Sequence, residues 1–255
     1  MRIAVVIPVY NERALLPITL SRLDETPPPR TRLGQPTERT IIIVDDGSTD
    51  GTRDFLAQLD ARDDIPVILK DRNEGKGSAI ARGFAATVEH NADIALIQDA
   101  DLEYDPADHE ALLRPILEGR ADAVIGSRFI GQSHRVLYYW HSIANRVITT
   151  LSNMLSNLNL TDIECGLKAF NRPVLERLSL KEKRFGVEPE IIAKLARMTI
   201  ETDPTDPARP AGPRRLRVYE VPVTYAGRTY AEGKKIGWRD GIEAIRCIIQ
   251  RNLLR

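Results

Sequence analysis

The 255-residue chain reads as an α/β protein: a mostly parallel, Rossmann-like sheet flanked by helices, with a smaller extension on its C-terminal side. Three observations predict this. Through the first half, short β-branched runs alternate with stretches of helical period. The polar, acidic or Gly-rich segments "PVYNE", "DDGSTDGT" and "DADLEYD" fall at strand ends, where sheets of this kind bind ligands. Beyond about residue 130 the alternation becomes irregular.

Strands are expected near 2–9 (RIAVVIPV), 40–45 (TIIIVD), 66–70 (PVILK), 93–98 (DIALIQ) and 122–126 (DAVIG), with helices near 12–23, 51–61, 76–90 and 106–118. Asp105 is placed to cap the last of these, and Pro106 suits its first turn. In the second half, helices are expected near 137–158, 173–178, 187–198 and 236–254, and a strand near 215–224. The Pro-rich segments 26–39 and 202–215 read as surface loops or hairpin tips. The whole chain is read as one domain, 1–130 holding the ligand half and 131–255 the second, with amphipathic helices.

Composition narrows the function. Lys plus Arg and Asp plus Glu both total 36, so a globally basic nucleic-acid binder is not expected. Cys165 and Cys247 form neither a metal-ligand spacing nor a disulfide framework, which fits a reducing compartment. Met1 leads directly into a strand with no cleavable leader pattern, and no run approaches the roughly 20 apolar residues of a membrane span. The four histidines lack zinc spacing, and there is no G-x-S-x-G nucleophile elbow.

Three loops carry the chemistry. "VDDGSTDGT" presents Asp45 and Asp46 at a strand end, either to a ligand's hydroxyl and ring N–H groups or as caps of the next helix. "RNEGKGSAIARGF" (72–84) is a Gly-rich turn opening a helix, with Arg72 and Lys76 nearby, and matches neither a P-loop nor a dinucleotide fingerprint. "DADLEYDP" places four carboxylates in seven residues, Asp99 to Asp105, and an Asp-x-Asp at a strand's end suits a hard cation such as Mg²⁺ or Mn²⁺. Downstream, Arg128, Arg135, Lys168, Arg228, Lys234 and Lys235 are cations placed either to answer a phosphorylated substrate or simply to be solvated at the surface. Two helical stripes, Trp140 to Leu158 and Ile236 to Leu253, suit core packing or an anionic bilayer surface.

Together these residues resemble the family 2 glycosyltransferases of the GT-A fold, and more narrowly the dolichyl- or polyprenyl-phosphate hexose synthases. The resemblance rests on "VVIPVYNE" (5–12), "IIVDDGSTDGT" (42–52), "NEGKGSAIARGF" (73–84), "DADLEYDP" (99–106) and "GSRF" (126–129). It continues through "TDIECGLKAFNR" (161–172), "FGVEPEI" (185–191) and "GRTYAEGKKIGWRDG" (227–241). It implies inverting transfer of a hexose from a UDP- or GDP-sugar to a polyprenyl or dolichyl phosphate, with Mg²⁺ or Mn²⁺, peripherally on the cytoplasmic face of a membrane. Carried over by motif, Pro8, Tyr10, Glu12, Asp45 and Asp46 contact base and ribose, and Lys76 lies beside the nucleotide. Asp99 holds the sugar or ribose, Asp101 and Glu103 bind the metal, and Arg128 and Arg228 grip phosphates with Lys234 in support. Relatives making dolichyl-phosphate mannose usually carry Gln at the position of Glu103, so this site is one charge more acidic. Were the acceptor a hydroxyl on a soluble molecule or protein instead, Asp162 or Glu164 is the candidate base. A nucleotidyltransferase and a non-catalytic nucleotide-sugar binder are the remaining alternatives. The former lacks its Gly-rich basic loop here, and intact carboxylates at 99, 101 and 103 argue against the latter.

Overall fold

The computed structural model describes residues 1–60, 65–131, 135, 138–202, 212–228 and 238–253. A seven-stranded sheet runs in the order β3-β2-β1-β4-β6-β5-β9. Its strands are β1 (Arg2–Val9), β2 (Glu38–Asp45), β3 (Val67–Leu69), β4 (Ile94–Ile97), β5 (Ala123–Ser127), β6 (Lys168–Asn171) and β9 (Val218–Pro222). All pair in parallel except β6, which lies antiparallel between β4 and β5.

β1 is a nearly unbroken apolar run because both its faces are covered. Ile3, Val5, Ile7 and Val9 point into one core with Leu16, Leu20 and Leu23 of α1 (Leu16–Glu25) and Leu112, Leu113 and Ile116 of α4 (His109–Leu117). Val6 points to the opposite core with Ile80 and Phe84 of α3 (Lys76–Glu89) and Ile191 and Ile192 of α7 (Val187–Arg197). On α3 Gly83 sits directly against Val6, and a Cβ there would overlap the valine methyl. Only glycine permits that approach.

The expected strands and helices of the first half are found within a few residues of their expected ends, the first helix starting at Leu16 rather than near residue 12. α2 (Thr52–Asp60) fills the β2–β3 connection. Asp105 accepts from the Ala107 amide at 2.9 Å and caps a short 3₁₀ turn, Pro106–Asp108, that leads into α4. Three strands had no counterpart in the expectation: β6, and the antiparallel pair β7 (Thr199–Glu201) and β8 (Pro213–Arg215). β8 lies within the second Pro-rich segment, of which residues 203–211 lie outside the described residues. The expected strand near 215–224 is found as β9. Asp122, at the foot of β5, accepts from Arg214 and Arg217 at 2.6–3.2 Å and ties this region to the sheet. Those guanidiniums overcome its burial and hold its carboxyl well below the usual range.

α6 is a single turn (Arg172–Leu175). α5 (Tyr139–Ser156) and α8 (Trp238–Leu253) pack on each other and on α7. Each divides its apolar residues. Ile148, Leu151 and Leu155 of α5, and Ala244, Ile245 and Ile248 of α8, enter the core. Trp140 (75 % exposed), Val147 and Met154 (76 %) of α5, and Ile242, Ile249 and Leu253 of α8, face outward. No described helix is long and apolar enough to cross a membrane.

Candidate active site

The carboxyl ends of β2, β3 and β4 place the three loops along one edge of the sheet, beside the ends of β1 and β5. After β2, Asp45 and Asp46 turn inward. Asp45 accepts from Arg53 Nε at 2.8 Å and from the amides of Gly47 and Ser48. Asp46 accepts from Lys70 Nζ at 2.5 Å, from the Glu74 amide at 3.1 Å and from the Gly75 amide at 2.6 Å. Both carboxylates are buried, and Asp46 holds the Gly-rich turn against β2. Gly75, at φ 106°, supplies a backbone conformation closed to other residues, and α3 starts at Lys76. Tyr10 is partly exposed and Glu12 is buried, both just beyond β1, and Pro8 lies in β1 opposite Val44.

Lys76 reaches back from α3 to the acidic loop. Its Nζ lies 2.8 Å from Asp99 Oδ1, 3.0 Å from Oδ2 and 3.2 Å from Glu188 Oε1 on α7. Burial alone would discharge this lysine, but Asp99 and Glu188 outweigh it and keep its pKa above the ordinary value. Asp99 is also packed by the chain itself. A Cβ on Gly166 would overlap its carboxylate, and Gln98 Nε2 donates to its carbonyl at 3.0 Å. Gln98 is held in turn by the buried ring of His109, 2.7 Å away. Burial drops the pKa of that imidazole to about 3, so it is neutral.

Asp101 and Glu103 flank Leu102, whose φ of 61° is a strained left-handed conformation for a bulky residue. The turn brings both carboxylates onto Arg228. Arg228 Nη2 donates to Asp101 Oδ2 at 2.8 Å, and its Nε donates to Glu103 Oε1 at 3.3 Å. The remaining oxygens are also engaged. Asp101 Oδ1 accepts from the Glu103 amide at 3.1 Å, and Glu103 Oε2 accepts from the Tyr225 hydroxyl at 3.0 Å. Burial first, then Asp99 and Glu103, raises the Asp101 pKa to about 7 against the pull of Arg228. Among the described residues no three His, Cys, Asp or Glu side chains converge as a ready metal cluster. Asp101 and Glu103 nevertheless offer hard oxygens gathered on a single cation, the donor chemistry that Mg²⁺ or Mn²⁺ takes.

A third group lies beyond β5. Arg128 forks onto Asp162, Nε to Oδ2 at 2.6 Å and Nη2 to Oδ1 at 2.8 Å. Its guanidinium is stacked 5.0 Å from the Tyr225 ring, and its Nη2 also reaches Asn145 of α5 at 3.4 Å. Despite burial, Arg128 keeps the Asp162 carboxyl below the usual range. A carboxylate of lowered pKa inside a guanidinium fork is a poor base, and Asp162 serves instead to hold Arg128. Glu164 has the opposite character. Burial first, then Glu188, raises its pKa to about 7, and its Oε1 is buried without a hydrogen-bond partner.

Lys168 does not answer a substrate phosphate as expected. It is fully buried in β6, where it donates to Glu188 Oε2 and to the Cys165 carbonyl. Sequence reasoning named no role for Glu188, which links Lys76 to Lys168; "FGVEPEI" held the only signal. Lys234 and Lys235 lie outside the described residues. Cys165 is a packed thiol, its pKa pushed up to about 12 by burial.

The glycosyl transferase family 2 signature matches residues 4–179. The chain is 29 % identical over 245 residues to the undecaprenyl-phosphate mannosyltransferase of Micrococcus luteus, covering 93 % of this chain and 88 % of that one. It is 31 % identical over 204 residues to the undecaprenyl-phosphate 4-deoxy-4-formamido-L-arabinose transferase of Photorhabdus laumondii, covering 79 % of this chain but only 59 % of that one. Its fold matches that of glucosyl-3-phosphoglycerate synthase from Mycobacterium tuberculosis, solved with Mn²⁺, uridine diphosphate and phosphoglyceric acid. The TM-score is 0.65 at 19 % identity, over 99 % of this chain and 79 % of that one. With the loop motifs gathered on one edge of a GT-A sheet, and a signature spanning most of the chain, this protein belongs to glycosyl transferase family 2.

Proposed function

We propose that the chain transfers a hexose, with inversion, from a nucleoside diphosphate sugar to the phosphate of a polyprenyl or dolichyl acceptor. The observation that carries this reading is the position of Arg128. The cation suited to an anionic acceptor reaches Asn145 on α5, and the outer face of that helix is apolar. A charged phosphate head and a lipid tail are thus accommodated by neighbouring surfaces. Both curated relatives described above carry undecaprenyl phosphate in their names while differing in the sugar, which supports the acceptor class more than any one donor.

In this reading Tyr10, Glu12 and the buried Asp45 turn frame the nucleotide, and Asp46 fixes the Gly-rich turn that presents Lys76. Lys76 and Asp99 orient the sugar and the phosphates next to it. Asp101 and Glu103 would hold a divalent cation, which would supply positive charge at the diphosphate leaving group. Arg228 adds charge there, and Arg128 aligns the acceptor phosphate with the anomeric carbon. A phosphate monoester, with a second pKa of about 6, is ionised at neutral pH and attacks without a base. That agrees with an Asp162 already committed to Arg128. The outward apolar residues of α5 and α8, beside Arg146 and Arg246, suit peripheral attachment to the cytoplasmic leaflet.

The test is a donor screen. UDP- and GDP-hexoses are incubated with the protein and Mn²⁺ or Mg²⁺, with and without undecaprenyl phosphate, and the lipid is weighed by mass spectrometry. The expected result is a gain of one hexose that requires both lipid phosphate and metal. Transfer solely to hydroxyl acceptors would overturn it in favour of a base-assisted reaction, with Glu164 as the base.

A further inference from the structure

Arg228 occupies the position from which a metal would bind Asp101 and Glu103. Its guanidinium contacts one oxygen of each carboxylate, at 2.8 and 3.3 Å. Mg²⁺ binds oxygen at about 2.0–2.1 Å and tolerates little distortion, so a cation chelated by these two oxygens would stand where the guanidinium now bridges them. The charges point the same way. Lys76 is matched to Asp99, whereas Arg228 faces Asp101 and Glu103 together, with Glu12 adding to the negative field around it. With both carboxylates ionised, as metal ligation requires, one guanidinium leaves them a net charge short of neutrality, which a divalent cation would supply.

The backbone arrangement lets the side chain leave by itself. The Ala226 amide donates to the Glu103 carbonyl at 2.9 Å, the Arg228 amide to Glu103 Oε1 at 3.0 Å, and the Tyr225 hydroxyl to Glu103 Oε2 at 3.0 Å. None of these three bonds uses the guanidinium. Glu103 therefore anchors residues 225–228 through contacts that survive rotation of the Arg228 side chain. Asp101 has no such anchoring task.

We propose that Arg228 is an exchangeable counter-ion of the metal site. It neutralises Asp101 and Glu103 in the free protein, yields those oxygens to a divalent cation when the donor binds, and transfers its guanidinium to the donor's diphosphate. The inference rests on the proposed metal role of Asp101 and Glu103. Its consequence is ordered loading: metal alone must displace an arginine that has nowhere better to go, whereas a nucleoside diphosphate provides a new partner. Metal and nucleotide then strengthen each other's binding through Arg228, and the coupling is reciprocal.

The experiment titrates Mn²⁺ into the full chain and follows the free-ion signal by electron paramagnetic resonance, first without nucleotide and then with UDP or GDP. Wild type is expected to bind Mn²⁺ weakly alone and at least tenfold more tightly with the preferred nucleotide. Arg228→Gln is expected to bind Mn²⁺ alone about tenfold more tightly than wild type, with a correspondingly smaller gain from nucleotide. Arg228→Lys, which keeps a cation, should stay within about threefold of wild type. Arg228→Met, which keeps the side-chain stem, gives the same reading should Arg228→Gln fail to fold. Mn²⁺ affinity in Arg228→Gln equal to or weaker than wild type, while Asp101→Asn abolishes binding, would overturn the exchange and leave the metal site standing. Unchanged affinity in Asp101→Asn would instead overturn the metal site itself, and the exchange with it.

Discussion

Arg128 and Asp162, 34 residues apart, are joined by two charge-assisted hydrogen bonds of 2.6 and 2.8 Å, and the Asp162 carboxylate is fully buried. Such a pair is costly to break from one side, because the partner left behind stays buried and charged. It also decides between roles. A general base is worth roughly 10²- to 10⁴-fold in rate, whereas a residue that only orients a cation acts through substrate affinity. Asp162→Asn is therefore expected to raise the KM for lipid phosphate and lower the Tm by several degrees. Its kcat should remain within about tenfold of wild type, with an unchanged pH–rate profile. A loss of a thousandfold or more in kcat, with donor hydrolysis intact, would return Asp162 to the role of base.

Gly166 tests the placement of Asp99. A methyl at this position would overlap the Asp99 carboxylate and come within 3.1 Å of the Tyr104 ring. Asp99 must then shift and loosen its bonds to Lys76. Gly166→Ala is expected to reduce transfer about a hundredfold or more while the far-ultraviolet circular dichroism stays native. Gly119→Ala is the comparison: its φ of 69° makes a side chain unfavourable on backbone grounds alone, yet nothing lies within 4 Å of the added methyl. That variant should lose about 1 kcal/mol of stability and no activity. Equal activity in the two variants would disconnect Gly166 from the site.

What was legible in the sequence follows the range of the interactions. β1 and β2 are long apolar runs bounded by turn residues, so their existence and ends can be read locally. The same is true of the Asp105 cap. β6 is four residues long and begins with a lysine, whose charge is met by Glu188 on α7. No local pattern reports that pairing. The acidic loop could be recognised from its spacing, and Asp99, Asp101 and Glu103 do cluster with the cations Lys76 and Arg228. The roles of the other carboxylates were not readable, since Asp46 and Asp162 look like free carboxylates until their partners, Lys70 and Arg128, are brought alongside. Spacing predicted both amphipathic stripes. Only packing shows that each is wider than the core it meets, with Ile148 inside and Trp140, Val147 and Met154 outside.

Those outward residues supply the third prediction. Large apolar side chains on one helix face, with arginine nearby, gain free energy by entering the boundary between lipid headgroups and acyl chains. The triple variant Trp140→Ser, Val147→Ser, Met154→Ser is expected to lower co-sedimentation with phosphatidylglycerol vesicles by about tenfold or more. Its Tm and its activity on detergent-dispersed acceptor should match wild type, because none of the three side chains is in the core. Undiminished vesicle binding would assign this face to another partner.

Glu164 carries a stability cost that the rest of the molecule accepts. Its Oε1 is buried with no hydrogen-bond partner, and burial with Glu188 opposite raises its pKa to about 7 from the model-peptide value near 4.5. Lys168 and Arg128 pull the other way without cancelling the shift, and Asp162 adds to it. The sign follows from proton binding. Between about pH 4.5 and 7 the folded chain holds a proton that the unfolded chain has released, so stability from this group is full below that window and falls as the pH rises through it. The loss is complete above pH 7 and is on the order of 3 kcal/mol at most. Glu164→Gln keeps the shape and cannot ionise. It should match wild type in urea unfolding at pH 4.5 and exceed it at pH 8, by up to about 3 kcal/mol. Parallel stabilities at both pH values would show that the carboxyl titrates normally in the folded chain. A group kept at this disadvantage, two residues from the Arg128 anchor, is where a ligand's hydrogen-bond partner belongs. The same variant should therefore gain stability and lose acceptor affinity together.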